Sequence, residues 1–366
     1  MVPVIGGAFG GLLAALAVIT LVVLWRKQLL CFRGNTTKDE IDGRSNEGFD
    51  GADVEMTDSR KKRPIKLSEF AAILEEKSRN THMGFSSDFK DLTLLSPKHD
   101  SNISQIQENR PKNRYTNILP FDHSLVKLIG IEDEPGSDFI NANYIPGFNS
   151  PREYIASQGP LPSTLADFWR MVWEQNVSII VMLTQLIERG RKKCELYWPE
   201  NTNEKRFFGD IIVEVKAVSF PQDYALREIE IHLGDVSRKV RHYNYLAWPD
   251  MGTPKTTSNM INFVDTVRQE VKPSTKGPML VHCSAGVGRT GTFIIMDVLL
   301  QELRSDRKEV DIFGKIINMR NNRVNMVQTE DQYTFIFKCI KDFIDVTDDE
   351  EEEPSEPVYE NYGANV

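Results

Sequence analysis

Apolar residues along this chain follow two spacings, one typical of buried strands and one typical of amphipathic helices. The continuous apolar run Ile179–Leu183 predicts a strand that is covered on both faces. Alternating stretches between Phe207 and Trp248 predict antiparallel strands. Apolar residues at three- and four-residue intervals predict helical faces in four segments: Leu67–Leu74, Leu165–Trp173, Met260–Val271 and Ile336–Ile344. Thr329 and Gln332 resemble a capping box that begins the last of these helices. Interleaved strands and helices predict an α/β domain with a mixed, highly twisted central sheet flanked by helices.

An uncharged run near the N-terminus predicts one transmembrane helix. Val4–Leu24 is long enough to cross the core of a bilayer, and Arg26, Lys27 and Arg33 follow it. The positive-inside rule then places the C-terminal side in the cytoplasm, most simply at the plasma membrane. A cleaved signal peptide is the alternative, but the apolar run is too long for one. The few residues before the run leave two interpretations open: an omitted ectodomain or a short form.

Charge divides the remainder of the chain. The formal charge of −9 resides in two acidic stretches, residues 38–58 and 348–360. No broad basic field remains, which argues against a nucleic-acid partner. The basic run 60–63 either touches anionic lipid or is a solvated linker. The predicted segments are an extracellular stub (1–3), a transmembrane helix (4–25), a juxtamembrane linker (26–63), a catalytic domain (64–346) and an acidic disordered tail (347–366).

The stretch Val281–Gly291 carries the candidate chemistry. A short apolar run enters a glycine-rich turn and continues into a helical pattern, with Cys283 at the strand exit and Arg289 six positions later. Backbone N–H groups in such a turn form a concave site for a tetrahedral oxyanion. The helix dipole and Arg289 favour a thiolate at Cys283, and the Thr290 hydroxyl can donate to its sulfur. A nucleophilic thiol aimed at phosphorus is therefore the hypothesis, against a buried structural cysteine.

The residues His282–Gly291 closely resemble the signature loop of the cysteine-dependent protein tyrosine phosphatases. Further stretches resemble that family in the expected order: Lys112–Tyr115, Asp138–Tyr144, Ser157–Leu161, Phe168–Trp173, Trp248–Asp250 and Gln328–Tyr333. They cover roughly residues 67–345 and look most like the receptor-type subgroup with a single intracellular catalytic domain. The resemblance implies the protein tyrosine phosphatase fold and hydrolysis of phosphotyrosine in proteins through a phosphocysteine. The alternative is a catalytically weak phosphotyrosine-binding or adaptor-docking scaffold.

The resemblance also implies a role for each candidate catalytic residue. Asp250 would protonate the leaving phenolate, and Gln328 and Gln332 would orient water in the second step. Glu188 would hold Arg289 by an ion pair. His282 would keep Cys283 ionised or only fill space under the loop. Met251 and Thr253 depart from the residues commoner in the acid-bearing loop.

Other positions would bind the substrate. Tyr115 would stack beside the phenyl ring and deepen the cleft, which excludes the shorter phosphoserine. Asn117 stands where some members carry Asp, and Lys193 would reach toward the substrate or the acid-bearing loop. The phosphoryl group would be held by the loop residues Ser284, Ala285, Gly286, Val287 and Gly288 together with Arg289. The resemblance also implies that Arg320 and Asn325 lie near the mouth of the cleft.

Two further expectations concern partners. Six scattered histidines and four unpaired cysteines show no ligand spacing, so no metal is implied, and the resemblance implies no cofactor. In the tail, Tyr359 followed by Asn361 resembles a docking motif for adaptor SH2 domains once the tyrosine is phosphorylated. An inert solvated tail is the alternative.

Overall fold

The computed structural model describes residues 61–272, 275–305 and 307–352, with side chains described as far as Thr347. The predicted transmembrane helix and Tyr359 lie outside the described residues, as does most of the predicted linker. Within those three ranges no helix is both long and apolar enough to cross a membrane.

A nine-stranded mixed sheet forms the centre of the described domain, as the apolar pattern predicts. Its strand order is β2-β3-β4-β12-β5-β11-β10-β9-β8. The pairs β4–β12, β12–β5 and β5–β11 are parallel, and the remaining pairs are antiparallel. The strands are β2 (Leu125–Lys127), β3 (Phe139–Ile145), β4 (Tyr154–Ser157), β5 (Ile179–Met182), β8 (Lys205–Phe208), β9 (Ile211–Ser219), β10 (Tyr224–Leu233), β11 (Val236–Tyr245) and β12 (Met279–His282).

Four short strands lie outside this sheet. They pair as β1 (Ile65–Lys66) with β13 (Glu309–Val310), and as the hairpin β6 (Ile187–Glu188) with β7 (Arg191–Lys192). The helices are α1 (Phe70–Leu95), α2 (Leu165–Glu174), α3 (Thr257–Gln269), α4 (Gly288–Leu303), α5 (Ile312–Asn322) and α6 (Glu330–Glu352). Short 3-10 turns occupy Leu67–Glu69, Ile103–Gln105, Arg110–Lys112, Asp122–Ser124 and Pro162–Thr164.

Two helices differ from the sequence-based expectation. Helix α1 is interrupted because Asn80, Thr81 and His82 have positive φ angles, so it consists of two helical pieces. Helix α6 continues to Glu352 and so passes the predicted start of the acidic tail at residue 347. Glutamate is a good helix former, and a helix already packed on the domain can extend through such residues.

Two apolar layers cover the sheet, one on each face. Val181 and Val281 belong to the layer that contains α3, α4, α5 and α6. Ile180 and Leu280 belong to the opposite layer, which contains α2. Because successive side chains alternate between faces, a central parallel strand needs apolar residues at every position. This explains the continuous run at β5 and confirms that prediction.

The N-terminal end of the described domain is fixed by Arg63. Its backbone N–H donates to Asp311 Oδ1 at 3.1 Å, and its guanidinium pairs with Asp88 and Asp91 at 2.5 and 2.6 Å. The same guanidinium lies 3.9 Å from the centre of the Phe313 ring. Arg63 therefore packs into the folded domain, and its charge is neutralised there.

Candidate active site

The cleft is built around a five-residue loop, Cys283–Val287, between the end of β12 and the start of α4. We call it the anion loop. Gly286 has a φ of +73°, and a Cβ there would lie 2.2 Å from the Ser157 carbonyl oxygen, so only glycine fits. The Gly286 N–H donates to Cys283 Sγ at 3.2 Å. The anion loop thus curls around the sulfur.

A buried arginine fixes the carbonyl groups of the anion loop. Arg323, which is fully buried, donates to Gly286 O at 2.8 Å and to Ala285 O at 3.1 Å. Its remaining N–H groups donate to the side-chain oxygens of Asn143 and Asn141, both at 2.8 Å. With its carbonyls bound on the outside, the anion loop can present its N–H groups to an anion at the centre. The sequence analysis missed this residue.

The electrostatic surroundings of Cys283 stabilise negative charge. Burial lowers the pKa of Arg323 to about 10, against the opposing influence of Cys283, so this guanidinium stays charged at neutral pH. The N-terminus of α4 begins directly after the anion loop and adds its dipole. Cys283 itself is only 5% exposed.

An ion pair positions Arg289. Glu188 accepts from its Nη1 at 2.6 Å and from its Nη2 at 3.1 Å, while the Leu183 carbonyl accepts from Nη1 at 3.1 Å. Burial alone would raise the pKa of Glu188. Hydrogen bonds and charge from Arg289, with bonds from Gln185 and Thr184, outweigh burial and hold that pKa below its usual value. The pair is therefore ionised and rigid at neutral pH, in the arrangement that the sequence analysis expected for Glu188.

Asp250 also lines the cleft, on the segment Trp248–Pro254, which we call the acid loop. The buried Trp248 ring anchors this loop, and its Nε1 donates to Gly252 O at 3.1 Å. Arg289 Nη2 donates to Pro249 O at 3.2 Å and so joins the acid loop to the anion loop. Asp250 Oδ2 lies 3.7 Å from Arg189 Nε.

Tyr115 forms one wall of the cleft. Its hydroxyl lies 2.9 Å from Ser284 Oγ, and Ser284 in turn donates to Lys193 O at 3.0 Å. Arg114 fixes the base of this wall by donating to the carbonyls of Gly159 and Pro160. Tyr115 therefore joins the wall of the cleft to the anion loop through Ser284.

The two glutamines stand in different environments. Gln332 is 7% exposed, and its Oε1 accepts from the N–H groups of Gln328 and Thr329 at 2.9 and 3.3 Å. The Thr329 hydroxyl accepts from Gln332 N at 3.2 Å, which confirms the predicted capping box at the start of α6. The Gln328 side chain is exposed and faces the cleft.

His282 and Thr290 lie behind the anion loop. Burial lowers the pKa of His282 to about 4, so its ring is neutral at physiological pH and supplies no positive charge to Cys283. Its Nε2 lies 2.7 Å from the Tyr197 hydroxyl, and Nδ1 lies 3.2 Å from Cys283 O. The buried Thr290 hydroxyl has no hydrogen-bond partner among the described residues.

The structure gathers most of the sequence-predicted residues around one cleft of about 340 Å³. The predicted residues that line it are Tyr115, Asn117, Glu188, Lys193, Asp250, Cys283, Ser284, Ala285, Gly288, Arg289, Gln328 and Gln332. Gly286, Val287, His282 and Thr290 lie outside this lining, within or behind the loop. Arg320, expected near the mouth of the cleft, is instead buried and donates to the carbonyls of Met326 and Val327.

The cleft combines a thiol in an anion-binding loop, an arginine fixed by a carboxylate, and an aspartate. This combination defines the site of a cysteine-dependent phosphatase. Residues 109–342 match the family model described as protein-tyrosine phosphatase, and the chain belongs to that family.

Curated relatives include receptor-type phosphatases. The human receptor-type tyrosine-protein phosphatase eta is 38% identical over 93% of this chain. The zebrafish (Danio rerio) receptor-type tyrosine-protein phosphatase F is 43% identical over 76%, and the human phosphatidylinositol phosphatase PTPRQ is 42% identical over 80%. The chain spans 24% of the length of human eta, 14% of zebrafish F and 12% of human PTPRQ.

Proposed function

We propose that this protein hydrolyses phosphotyrosine in proteins through a phosphocysteine intermediate. The observation that carries the proposal is that Cys283 and Asp250 line one cleft, with Arg289 bonded to both Glu188 and the acid loop. These groups are the nucleophile, the proton donor and the phosphoryl clamp that the reaction requires.

In the first step, Cys283 Sγ attacks phosphorus while the bond from phosphorus to the phenolic oxygen breaks. Protonated Asp250 transfers its proton to that oxygen, because a phenolate with a conjugate acid of pKa about 10 leaves poorly otherwise. Arg289 and the N–H groups of the anion loop bind the three phosphoryl oxygens and stabilise their charge in the transition state. The Thr290 hydroxyl, which has no hydrogen-bond partner among the described residues, would donate to the sulfur.

In the second step, water attacks the phosphocysteine. Ionised Asp250 accepts a proton from that water, the bond from sulfur to phosphorus breaks, and phosphate leaves with Cys283 restored as a thiolate. Gln328, exposed in the cleft, would orient the water. Gln332 supports Gln328 through its bond to the backbone N–H.

Substrate length selects phosphotyrosine. The hydroxyl of Tyr115 forms a hydrogen bond with Ser284, and this bond positions the ring at the wall of the cleft. Phosphoserine would leave phosphorus short of Cys283. A binding scaffold is the alternative function, and relatives named phosphatidylinositol phosphatases make lipid phosphate a necessary comparison.

The test is phosphate release by the full chain from phosphotyrosine peptides, phosphoserine peptides and phosphoinositide vesicles. We expect release from the first substrate only, and an acid-quenched sample should carry labelled phosphate on Cys283. Cys283→Ser should bind the phosphotyrosine peptide without turnover. Peptide binding without release by the unmodified chain would favour the scaffold, and release from vesicles alone would favour a lipid substrate.

Membrane attachment and adaptor docking are further parts of the proposal. Residues 4–25 would span the membrane, residues 26–62 would link it to the catalytic domain that includes Arg63, and that domain would lie in the cytoplasm. The residues after Glu352 would form a tail that docks an SH2 adaptor through phosphorylated Tyr359. A phosphopeptide of residues 355–366 should bind such a domain at micromolar concentration, and absence of binding would reject the docking proposal.

A further inference from the structure

Two glutamates and a histidine meet on the antiparallel part of the sheet, outside the cleft. Glu214 on β9 is paired directly with Glu230 on β10, and His232 follows two positions later on the same face. Like charges directly opposite each other destabilise a sheet unless a cation lies between them. Neither β9 nor β10 contributes a residue to the cleft lining.

One nitrogen of the imidazole lacks a hydrogen-bond partner. His232 Nε2 is a buried atom without a partner among the described residues, although 25% of the side chain is exposed. It lies 3.8 Å from Glu214 Oε2 and 3.7 Å from Glu230 Oε2, which is too far for a hydrogen bond. A buried nitrogen left in this state costs free energy unless something else occupies the space between the three groups.

The spacing of the three groups fits a small cation. One ligand atom from each residue lies within 4.8 Å of the others. A tetrahedral zinc ion with bonds of about 2.0–2.2 Å places its ligand atoms roughly 3.3–3.6 Å apart, so small side-chain rotations suffice. One imidazole with two carboxylates suits zinc better than calcium or magnesium, which prefer oxygen ligands alone.

Two lysines now balance the carboxylates. Lys216 Nζ lies 2.8 Å from Glu214 Oε1 and 3.4 Å from Glu230 Oε2, and Lys205 Nζ lies 3.9 Å from Glu214 Oε2. The lysine side chains are 44% and 59% exposed and can swing into water.

We propose that Glu214, Glu230 and His232 bind a zinc ion that displaces Lys216, with water at the fourth position. The ion would join β9 to β10, take over the charge balance from Lys216 and bind the unsatisfied imidazole nitrogen. The site is independent of the proposed catalytic chemistry, because none of its residues lines the cleft.

The test is a zinc titration of the full chain against a fluorescent chelator, with Cys283→Ser as background so that the cleft thiolate binds no metal. We expect one site at micromolar zinc or tighter. His232→Gln should weaken it about tenfold or more, whereas the exposed control His99→Gln should leave it unchanged. Lys216→Gln should strengthen it, because the competing ammonium is gone.

A second measurement separates this site from binding elsewhere. Zinc at about 100 times the dissociation constant should raise the thermal unfolding midpoint by several degrees, and His232→Gln should abolish that rise. Absence of binding at 100-fold the expected micromolar concentration would overturn the proposal. Equal zinc affinity in His232→Gln and the background protein, or weaker binding in Lys216→Gln, would overturn it as well.

Discussion

Replacing Glu188 by Gln tests the ion pair that positions Arg289. Glutamine keeps the shape of the side chain, but only its oxygen can accept, so one of the two bonds at 2.6 and 3.1 Å is lost. Because the amide NH₂ then faces a guanidinium N–H, the side chain of Arg289 is held less firmly. A hydrogen bond between charged groups contributes about 1.5–3 kcal/mol. If this hydrogen-bond free energy no longer stabilises the transition state, kcat/KM should fall about 10- to 150-fold, since about 1.36 kcal/mol corresponds to tenfold.

The assay is kcat/KM on a phosphotyrosine peptide, with the free energy of unfolding measured alongside. The matched control is Glu195→Gln, which removes a pair with Lys192 that is 2.8 Å long but partly exposed, and which should change kcat/KM less than about threefold. A Glu188→Gln protein that folds normally and keeps kcat/KM within twofold would refute the reasoning. So would equal losses in both variants.

Four other outcomes are expected. Asp250→Ala should lower kcat on phosphotyrosine about 10²-fold while sparing KM, and undiminished turnover would remove Asp250 as the proton donor. Arg323→Met should lower the free energy of unfolding by about 3–5 kcal/mol in urea, because four buried acceptors lose their donor; a loss under about 1 kcal/mol would contradict the role of this residue. In the folded protein the pKa of His282 is lowered to about 4, whereas the same side chain in the unfolded chain has a pKa near 6.5. The free energy of unfolding should therefore decline as pH falls from 6.5 toward 4. His282→Gln should flatten that decline, and an unchanged slope would contradict the role of this histidine. Burial raises the pKa of the Cys194 thiol, so iodoacetamide should modify Cys283 first, as mass spectrometry would show; equal modification rates would contradict a thiolate at Cys283.

Local patterns predicted the scaffold well because they report on neighbours in the chain. The run at β5 and the turn after β12 depend on burial and on glycine geometry within a few residues. The capping box of Thr329 and Gln332 is likewise local and is confirmed. The break in α1 was not predictable, because Asn80 to His82 carry no helix-ending glycine or proline.

The supports of the anion loop escaped the sequence analysis because they act over long distances in the chain. Arg323 reaches Asn141 and Asn143 across about 180 positions, and no spacing rule connects such residues. Burial of these three polar side chains would have indicated their role, but a single sequence does not reveal which residues are buried. Glu188 was placed opposite Arg289 only through family resemblance, and the distances between them supply the physical reason for that placement.

Helix α5 connects two features that lie far apart in the chain. Near its first residue, Asp311 accepts both the Arg63 N–H and the Gly314 N–H, and just beyond its last residue comes Arg323. Eleven residues of helix span roughly 16 Å. One helix therefore carries the contact with Arg63 at its first turn, and the arginine that follows its last residue binds the carbonyls of the anion loop.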